Sequence, residues 1–386
     1  MFDKRLVNKF REFNTPFYYY DILLLQKTLT AVKNEINKYG YIVHYAVKAN
    51  ANRKILKIIN EYGFGTDCVS GNEIERALET GFSPDKIVIA GVGKSDKEII
   101  TGLDNNIFCF NCESLQEMGV INELAAQKNK RANIALRINP NIDPKTHYYI
   151  TTGLEENKFG INKWEFENVI EKIRRLKNLN VIGLHFHLGS QITDLEVFKS
   201  LCVHVNEVQD WFARHDVYFN HLNAGGGLGV NYEEPDDNPV NDFTSFFKIF
   251  NDILELNPDQ ELHFELGRSL VAQCGSLISR VLYVKEGVNT NFVILDAGMT
   301  DLIRPALYQA YHKIENLSSD KNNMRYDVVG PICESSDTFG KLILLPETHR
   351  GDLMAIRSTG AYGEVMASQY NLRELPAAVY SDEVNL

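Results

Sequence analysis

Several short stretches put reactive side chains at the ends of apolar runs. In Tyr45-Ala46-Val47-Lys48-Ala49-Asn50 a lysine closes a strand-like segment. An amine in that position can condense with an aldehyde to a Schiff base. A lysine that ends a strand simply to reach water is the plainer alternative. His185-Phe186-His187-Leu188-Gly189-Ser190 sets two imidazoles on one side of a strand, because alternate residues share a face. The pair suits a metal ion, yet no further His or carboxylate stands at an obvious ligand spacing. A flat imidazole laid against a flat ring is an equally good use.

Asn223-Ala224-Gly225-Gly226-Gly227-Leu228-Gly229 follows another apolar run with four glycines in five positions. Backbone N–H groups in such a loop can approach a phosphate closely. A dinucleotide site would want GxGxxG opening a helix, whereas Tyr232-Glu233-Glu234-Pro235 comes next, so a single phosphate fits better than a dinucleotide. A flexible turn is the alternative. In Glu265-Leu266-Gly267-Arg268 a carboxylate could keep a pyridine-type nitrogen protonated, and the arginine could pair bidentately with phosphate or carboxylate. A surface Glu–Arg pair would look the same.

Further along, Gly330-Pro331-Ile332-Cys333-Glu334-Ser335-Ser336-Asp337 gathers a thiol and two carboxylates in one turn. Arg304 and Tyr308 share a face if their segment is helical. Tyr362 sits between glycines in Gly360-Ala361-Tyr362-Gly363.

Elements that could position these groups are visible in the apolar pattern. Strand-like runs occur at Tyr41 to Ala46, Ile87 to Ala90, Ile107 to Phe110, Asn133 to Ile138, Val181 to Phe186, His221 to Ala224 and Leu262 to Glu265. Helical periodicity separates most of them, as in Arg53 to Tyr62, Phe166 to Leu176 and Leu195 to Arg214. Repeated βα units imply a parallel sheet, and seven or eight of them favour a closed (β/α)8 barrel whose C-terminal rim carries function. Lys48 would stand on that rim. After about residue 270 the runs Leu277 to Val284, Phe292 to Asp296, Tyr326 to Val329, Lys341 to Leu345 and Leu353 to Arg357 lack long helices between them. They predict a separate β-sandwich or β-barrel domain, whose sheet Phe17 to Tyr20 would join. The expected division is a barrel over 24–268 and a β domain from 1–23 plus 269–386.

The chain has 40 basic and 51 acidic residues, a net charge of −11, which disfavours nucleic acid and anionic membranes as partners. Its amino terminus has no apolar signal region and no run reaches membrane-spanning length. The six cysteines are scattered, and Cys109 lies in a run that reads as a buried strand. A cytoplasmic, thiol-reduced protein is expected.

In this order and spacing, YAVKAN, HFHLGSQ, GGGLG, ELGR, RPALYQAYH, GPICESSD and GAYG resemble the pattern of the alanine-racemase-like (fold type III) pyridoxal phosphate (PLP) decarboxylases. The resemblance runs from about Phe17 to Arg373. It implies that Lys48 holds the PLP, that His187 stacks on its ring and that Glu265 pairs with its ring nitrogen. Ser190, the loop with Gly226, Gly227 and Gly229, and the backbone around Gly267 and Arg268 would hold its phosphate, with Tyr362 beside phosphate and substrate. Asp67 and Arg137 match rim positions that support the lysine and the ring. Arg268, Arg304 and Tyr308 would bind a distal substrate carboxylate. Glu334 and Ser335 would take the distal amine and so read a D-centre there. Cys333 and Glu334 would reach the partner subunit's site in a homodimer, and Cys333 would help return a proton to carbon.

The implied reaction is decarboxylation of meso-2,6-diaminopimelate to L-lysine, with PLP as cofactor and no metal. Carboxynorspermidine, ornithine or arginine as substrate, or a non-catalytic PLP-binding homologue, are the alternatives. A racemase of the same fold is disfavoured by Glu265, since an arginine holds that role there.

Overall fold

The computed structural model describes residues 2–142 and 158–384. The chain forms two compact units, one from Leu29–Gly229 with Asp242–Gly267, the other from Met1–Thr28, Val230–Asn241 and Arg268–Leu386. Among the described residues no helix is long and apolar enough to cross a membrane.

In the second unit, β1 (Phe17–Tyr20) is fully buried and pairs antiparallel with β10 (Gly275–Lys285). In the first unit eight parallel strands close into a barrel: β2 (Ile42–Ala46), β3 (Gly65–Cys68), β4 (Ile87–Ile89), β5 (Cys109–Cys112), β6 (Ala132–Arg137), β7 (Leu179–His185), β8 (His221–Asn223) and β9 (Glu261–Leu266). Helices follow the strands, and their starts are written in the sequence. Ser70, Ser95 and Ser114 cap the helices Gly71–Glu79, Asp96–Asn105 and Leu115–Gln127, each accepting from the backbone N–H three residues on. These hydroxyls satisfy first-turn N–H groups that lack an intrahelical partner. The helix Arg53–Glu61 buries Ile55, Leu56, Ile58 and Ile59 on one face, as its periodicity predicts.

Inside the barrel, side chains two residues apart on a strand occupy successive layers. The lower layer contains His44, His221 and His263 with Phe108. The His221 and His263 rings are 4.1 Å apart, those of His44 and His263 5.2 Å, and Phe108 lies 5.3 Å from His221. Two glycines make the room. A Cβ on Gly65 would stand 2.5 Å from His44 Nδ1, and one on Gly183 would stand 2.7 Å from His221 Cδ2. Two residues further along the same strands come Asp67, His185, Asn223 and Glu265.

The strand β3 escaped the apolar pattern. Its sequence, Gly-Thr-Asp-Cys, gives the barrel interior a glycine and an aspartate instead of branched apolar residues, although all four are buried.

The second unit is mostly sheet. Its remaining strands are β11 (Asn291–Leu295), β12 (Ile314–Asn316), β13 (Asn323–Val329), β14 (Thr338–Pro346), β15 (Leu353–Ile356) and β16 (Ala377–Tyr380). The order is β12-β15-β10-β11-β13-β14, with β1 joined to β10 and β16 to β1. The β10, β11, β13, β14 and β15 segments lie where the apolar runs placed them. The short β12 and β16 were not legible. Phe10, Phe17, Tyr19, Ile278 and Leu353 form a core cluster in this unit.

Candidate active site

Lys48 follows β2 in a short 3-10 turn, Val47–Ala49, at the C-terminal end of a barrel strand. Its side chain is 34% exposed, and Nζ lies 2.9 Å from Oδ2 of the fully buried Asp67 on β3. Burial, then the charge of Glu265, push the Asp67 carboxyl up to about 6, against the pull of Lys48. Its Oδ1 has no hydrogen-bond partner among the described residues.

Glu265, near the end of β9, is held from three directions. Asn111 Nδ2 and Asn223 Nδ2 donate to Oε1 at 3.0 and 2.8 Å, and His185 Nε2 donates to Oε2 at 2.9 Å. Burial pushes this carboxyl up, but the charge and hydrogen bond of His185, with Lys48, outweigh it and hold the pKa below the usual carboxylate range. A carboxylate has about four acceptor sites. Three are filled by the chain, which leaves one for an incoming N–H.

His187 is half-buried beyond the end of β7, and its Nδ1 accepts from Gly226 N at 3.3 Å. The proton of the neutral ring therefore sits on Nε2. Burial, with the charges of Arg137 and Lys48, keeps the pKa of this imidazole well below its usual value. Arg137 itself is anchored by Glu113, at 2.6 Å, and lies over the Phe159 ring.

In the glycine loop, a Cβ on Gly226 would stand 1.9 Å from the carbonyl oxygen of Glu265, so only glycine lets the loop pack there. The N–H groups of Gly225, Gly226 and Gly229 are turned to Asn223 Oδ1, His187 Nδ1 and Ile192 O. The Gly227 N–H has no acceptor among the described residues. Ser190 is half-buried. Gly267 packs 3.1 Å, at Cβ distance, from the Cβ atoms of Ala46 and Ala49, on either side of Lys48.

The other unit carries the remaining residues. Arg304 and Tyr308 begin and end one short helix, Arg304–Tyr308, with Arg304 buried and Tyr308 half-buried. Arg268 is buried and its guanidinium lies 4.8 Å from the Tyr362 ring centroid. Arg268 Nη1 and Arg304 Nη1 both donate to the hydroxyl oxygen of Tyr232, at 2.6 and 3.1 Å. Cys333, Glu334 and Ser335 are exposed in the turn between β13 and β14. Ser336 Oγ donates to Glu334 at 3.3 Å within that turn.

The sequence alone singles out neither Asn111 and Asn223, which clamp Glu265, nor Glu113, which anchors Arg137, nor Tyr232, which accepts from both arginines. Asn223 opens the glycine loop and His185 stands in the His-x-His pair, so both were in view without a partner to assign them. Among the described residues no group of three or more His, Cys, Asp or Glu is arranged to hold a metal ion.

Comparison with known proteins places the chain in a family. Residues 24–272 match the family described as pyridoxal-dependent decarboxylase, pyridoxal binding domain. A diaminopimelate decarboxylase of Bacteroides thetaiotaomicron is 59% identical over 379 residues, covering 98% of each chain. The crystal structure of diaminopimelate decarboxylase from Helicobacter pylori complexed with L-lysine superposes with a TM-score of 0.91 at 40% identity, covering 98% of this chain and 94% of that one. The M. jannaschii diaminopimelate decarboxylase in co-complex with L-lysine gives 0.87 at 35% identity, over 97% and 89%. A PLP enzyme needs an amine for the aldehyde, a partner for the ring nitrogen and a backbone cradle for the phosphate. Lys48, Glu265 with its one unfilled acceptor site, and the Gly227 amide fit those needs. The chain belongs to the diaminopimelate decarboxylase family of pyridoxal-dependent decarboxylases.

Proposed function

We propose that the protein removes one carboxyl group from meso-2,6-diaminopimelate to give L-lysine, using PLP held on Lys48. The observation that carries the substrate is the pair Arg268 and Arg304, two buried guanidiniums on one phenol oxygen. Guanidinium stays charged in proteins. Two such charges favour a substrate whose far end bears a carboxylate. They disfavour ornithine, whose far end is a lone ammonium.

PLP, when bound, supplies an electron sink for the pair left behind as the carbon–carbon bond to the leaving carboxylate breaks. The chain's residues do the rest. Glu265, ionised and clamped, would hold a proton at the ring nitrogen. His187, neutral and oriented by Gly226, would cover one face of the ring. Asp67 would keep the Lys48 amine in place, and Arg137 would support the ring. Ser190, the Gly227 amide, the Gly267 and Arg268 backbone and Tyr362 would bind the phosphate. Arg268, Arg304 and Tyr308 would orient the far carboxylate. Cys333 of the partner subunit would deliver a proton to the carbon, beside Glu334 of the partner subunit, which makes the working unit a homodimer. Exposure of both residues in one turn supports that role. Six free cysteines support a reducing, cytoplasmic setting.

The product fixes the stereochemistry. L-lysine retains the L-centre, so the carbon that loses carbon dioxide is the D one. Glu334 and Ser335 would therefore read an L-centre at the far end, not the D-centre expected from the sequence.

The test is turnover of meso-diaminopimelate with added PLP, scored as carbon dioxide and L-lysine, with L-ornithine as control. Lysine should form, with ornithine turned over at least a hundredfold more slowly. Faster release of carbon dioxide from ornithine would sink the substrate reading.

A further inference from the structure

Tyr232 has no assigned role of its own so far, yet both arginines donate to its hydroxyl. It is buried, and its ring packs edge-on against His312 with centroids 4.9 Å apart. Both guanidinium carbons lie near its ring, that of Arg268 at 5.9 Å and that of Arg304 at 5.1 Å from the centroid. Arg304 Nη1 makes a second bond, to His312 Nε2 at 2.8 Å, while His312 Nδ1 donates to the carbonyl of Arg357 at 2.8 Å. Burial and the Arg304 charge push the His312 pKa down to about 3, so the ring is neutral and its Nε2 accepts.

A guanidinium Nη carries two hydrogens. Those of Arg304 Nη1 are committed to Tyr232 and His312. Its Nε and Nη2 have no hydrogen-bond partner among the described residues. Together they form the side-on edge that meets a carboxylate bidentately. Burial alone would raise the Tyr232 phenol, but the Arg268 and Arg304 charges outweigh it and pull its pKa below the usual phenol value. Without that oxygen between them, two buried like charges would repel and turn apart.

We propose that Tyr232 is a positioning and specificity residue: by bridging Arg268 and Arg304, it aims the Nε–Nη2 edge of Arg304 at the substrate's distal carboxylate. This rests on the reading of diaminopimelate as substrate. It also makes a distinction between two ligands that a merely structural role would not. L-lysine keeps the distal carboxylate, because the one it lost was at the reacting carbon. Cadaverine has the same two amines and no carboxylate.

The experiment compares wild-type holoenzyme with Tyr232→Phe, which keeps the ring and removes the oxygen. The KM for meso-diaminopimelate should rise at least tenfold with kcat within threefold. The inhibition constant of L-lysine should rise by a similar factor, and that of cadaverine should stay within twofold. Equal weakening of lysine and cadaverine, or no change in either, would overturn the bridging role. If Tyr232→Phe does not fold, His312→Leu frees the other Nη1 hydrogen, leaving the Arg304 guanidinium held by Tyr232 alone, and should give a smaller loss of the same selectivity, with the same results counting against it. A wild-type enzyme that neither processes diaminopimelate nor is inhibited by lysine removes the substrate reading and the bridge with it. A Tyr232→Phe enzyme inhibited by lysine as well as wild type removes the bridge alone.

Discussion

Two layers of polar side chains face the inside of the same barrel, two residues apart along its strands, and they are treated in opposite ways. In the upper layer Glu265 keeps its charge, because His185, Asn111 and Asn223 donate to it from three strands. In the lower layer the imidazoles are kept neutral. Burial pushes the His44 pKa down to about 4 and that of His221 to about 3. His44 Nδ1 donates to the Lys86 carbonyl and its Nε2 accepts from His263 Nδ1, while neither nitrogen of His221 has a partner among the described residues. Charge is retained only at the end of the barrel where a ring nitrogen would need it, and is excluded where packing alone is at stake. Buried polar groups therefore do not by themselves mark a site. What marks it is a carboxylate supplied with donors and left one acceptor site short.

The layers should separate most widely under substitution at the rim. Lys48→Ala should abolish covalent attachment of PLP, seen as loss of the band that borohydride bleaches, and should lower turnover by about three orders of magnitude or more. Retention of a borohydride-sensitive band would move the attachment to another amine. Glu265→Gln keeps the shape of the clamp and removes its charge. PLP should still bind, with turnover down roughly a hundredfold or more. Wild-type turnover in that variant would show that ring protonation does not matter here. His185→Phe tests the clamp itself. Loss of one charge-assisted hydrogen bond, about 1.5–3 kcal/mol, corresponds to a fall of roughly ten- to a hundredfold. The 15N resonance of labelled PLP's ring nitrogen should move towards its unprotonated position. His185→Gln, which can still donate, should recover most of both. An unmoved resonance in His185→Phe would reduce His185 to a packing residue.

The contrast between layers also explains what was legible in the sequence. The strands β2 and β4 to β9 announce themselves by apolar runs, and the rim residues Lys48, His187 and Glu265 stand at the ends of theirs. The strand β3 does not, because Gly65 must leave space for His44 and Asp67 must face Lys48. Asn111 lies inside the Cys109–Cys112 strand, where nothing local distinguishes it from a tolerated polar residue. Its role appears only when β9 is brought opposite it across the barrel. Tyr232 is hidden for the same reason. Its partners Arg268 and Arg304 are 36 and 72 residues away in sequence, and periodicity within one element carries no information about such pairs.

The smallest expected effect lies in the lower layer and concerns pH. Between about pH 6.5, where an unfolded histidine titrates, and about pH 4, the unfolded chain binds protons that native His44 and His221 refuse. Stability must then fall as pH falls through that window. Asp67 in the upper layer has the opposite sign, because its folded pKa is raised to about 6, so its contribution is present at low pH and is lost as pH rises through that value. Replacing His221 by leucine removes one proton acceptor from the unfolded side and two unpartnered nitrogens from the folded side. The variant should gain about 2 kcal/mol over wild type near pH 4.5 and show a smaller difference at pH 7.5. Urea unfolding of both proteins at the two pH values measures this directly, and turnover at pH 7.5 should stay within about twofold of wild type, since the leucine lies one layer below Glu265. A gain of equal size at both pH values would mean that relief of the unpartnered nitrogens dominates, and that suppressed protonation of the lower layer contributes nothing to acid sensitivity.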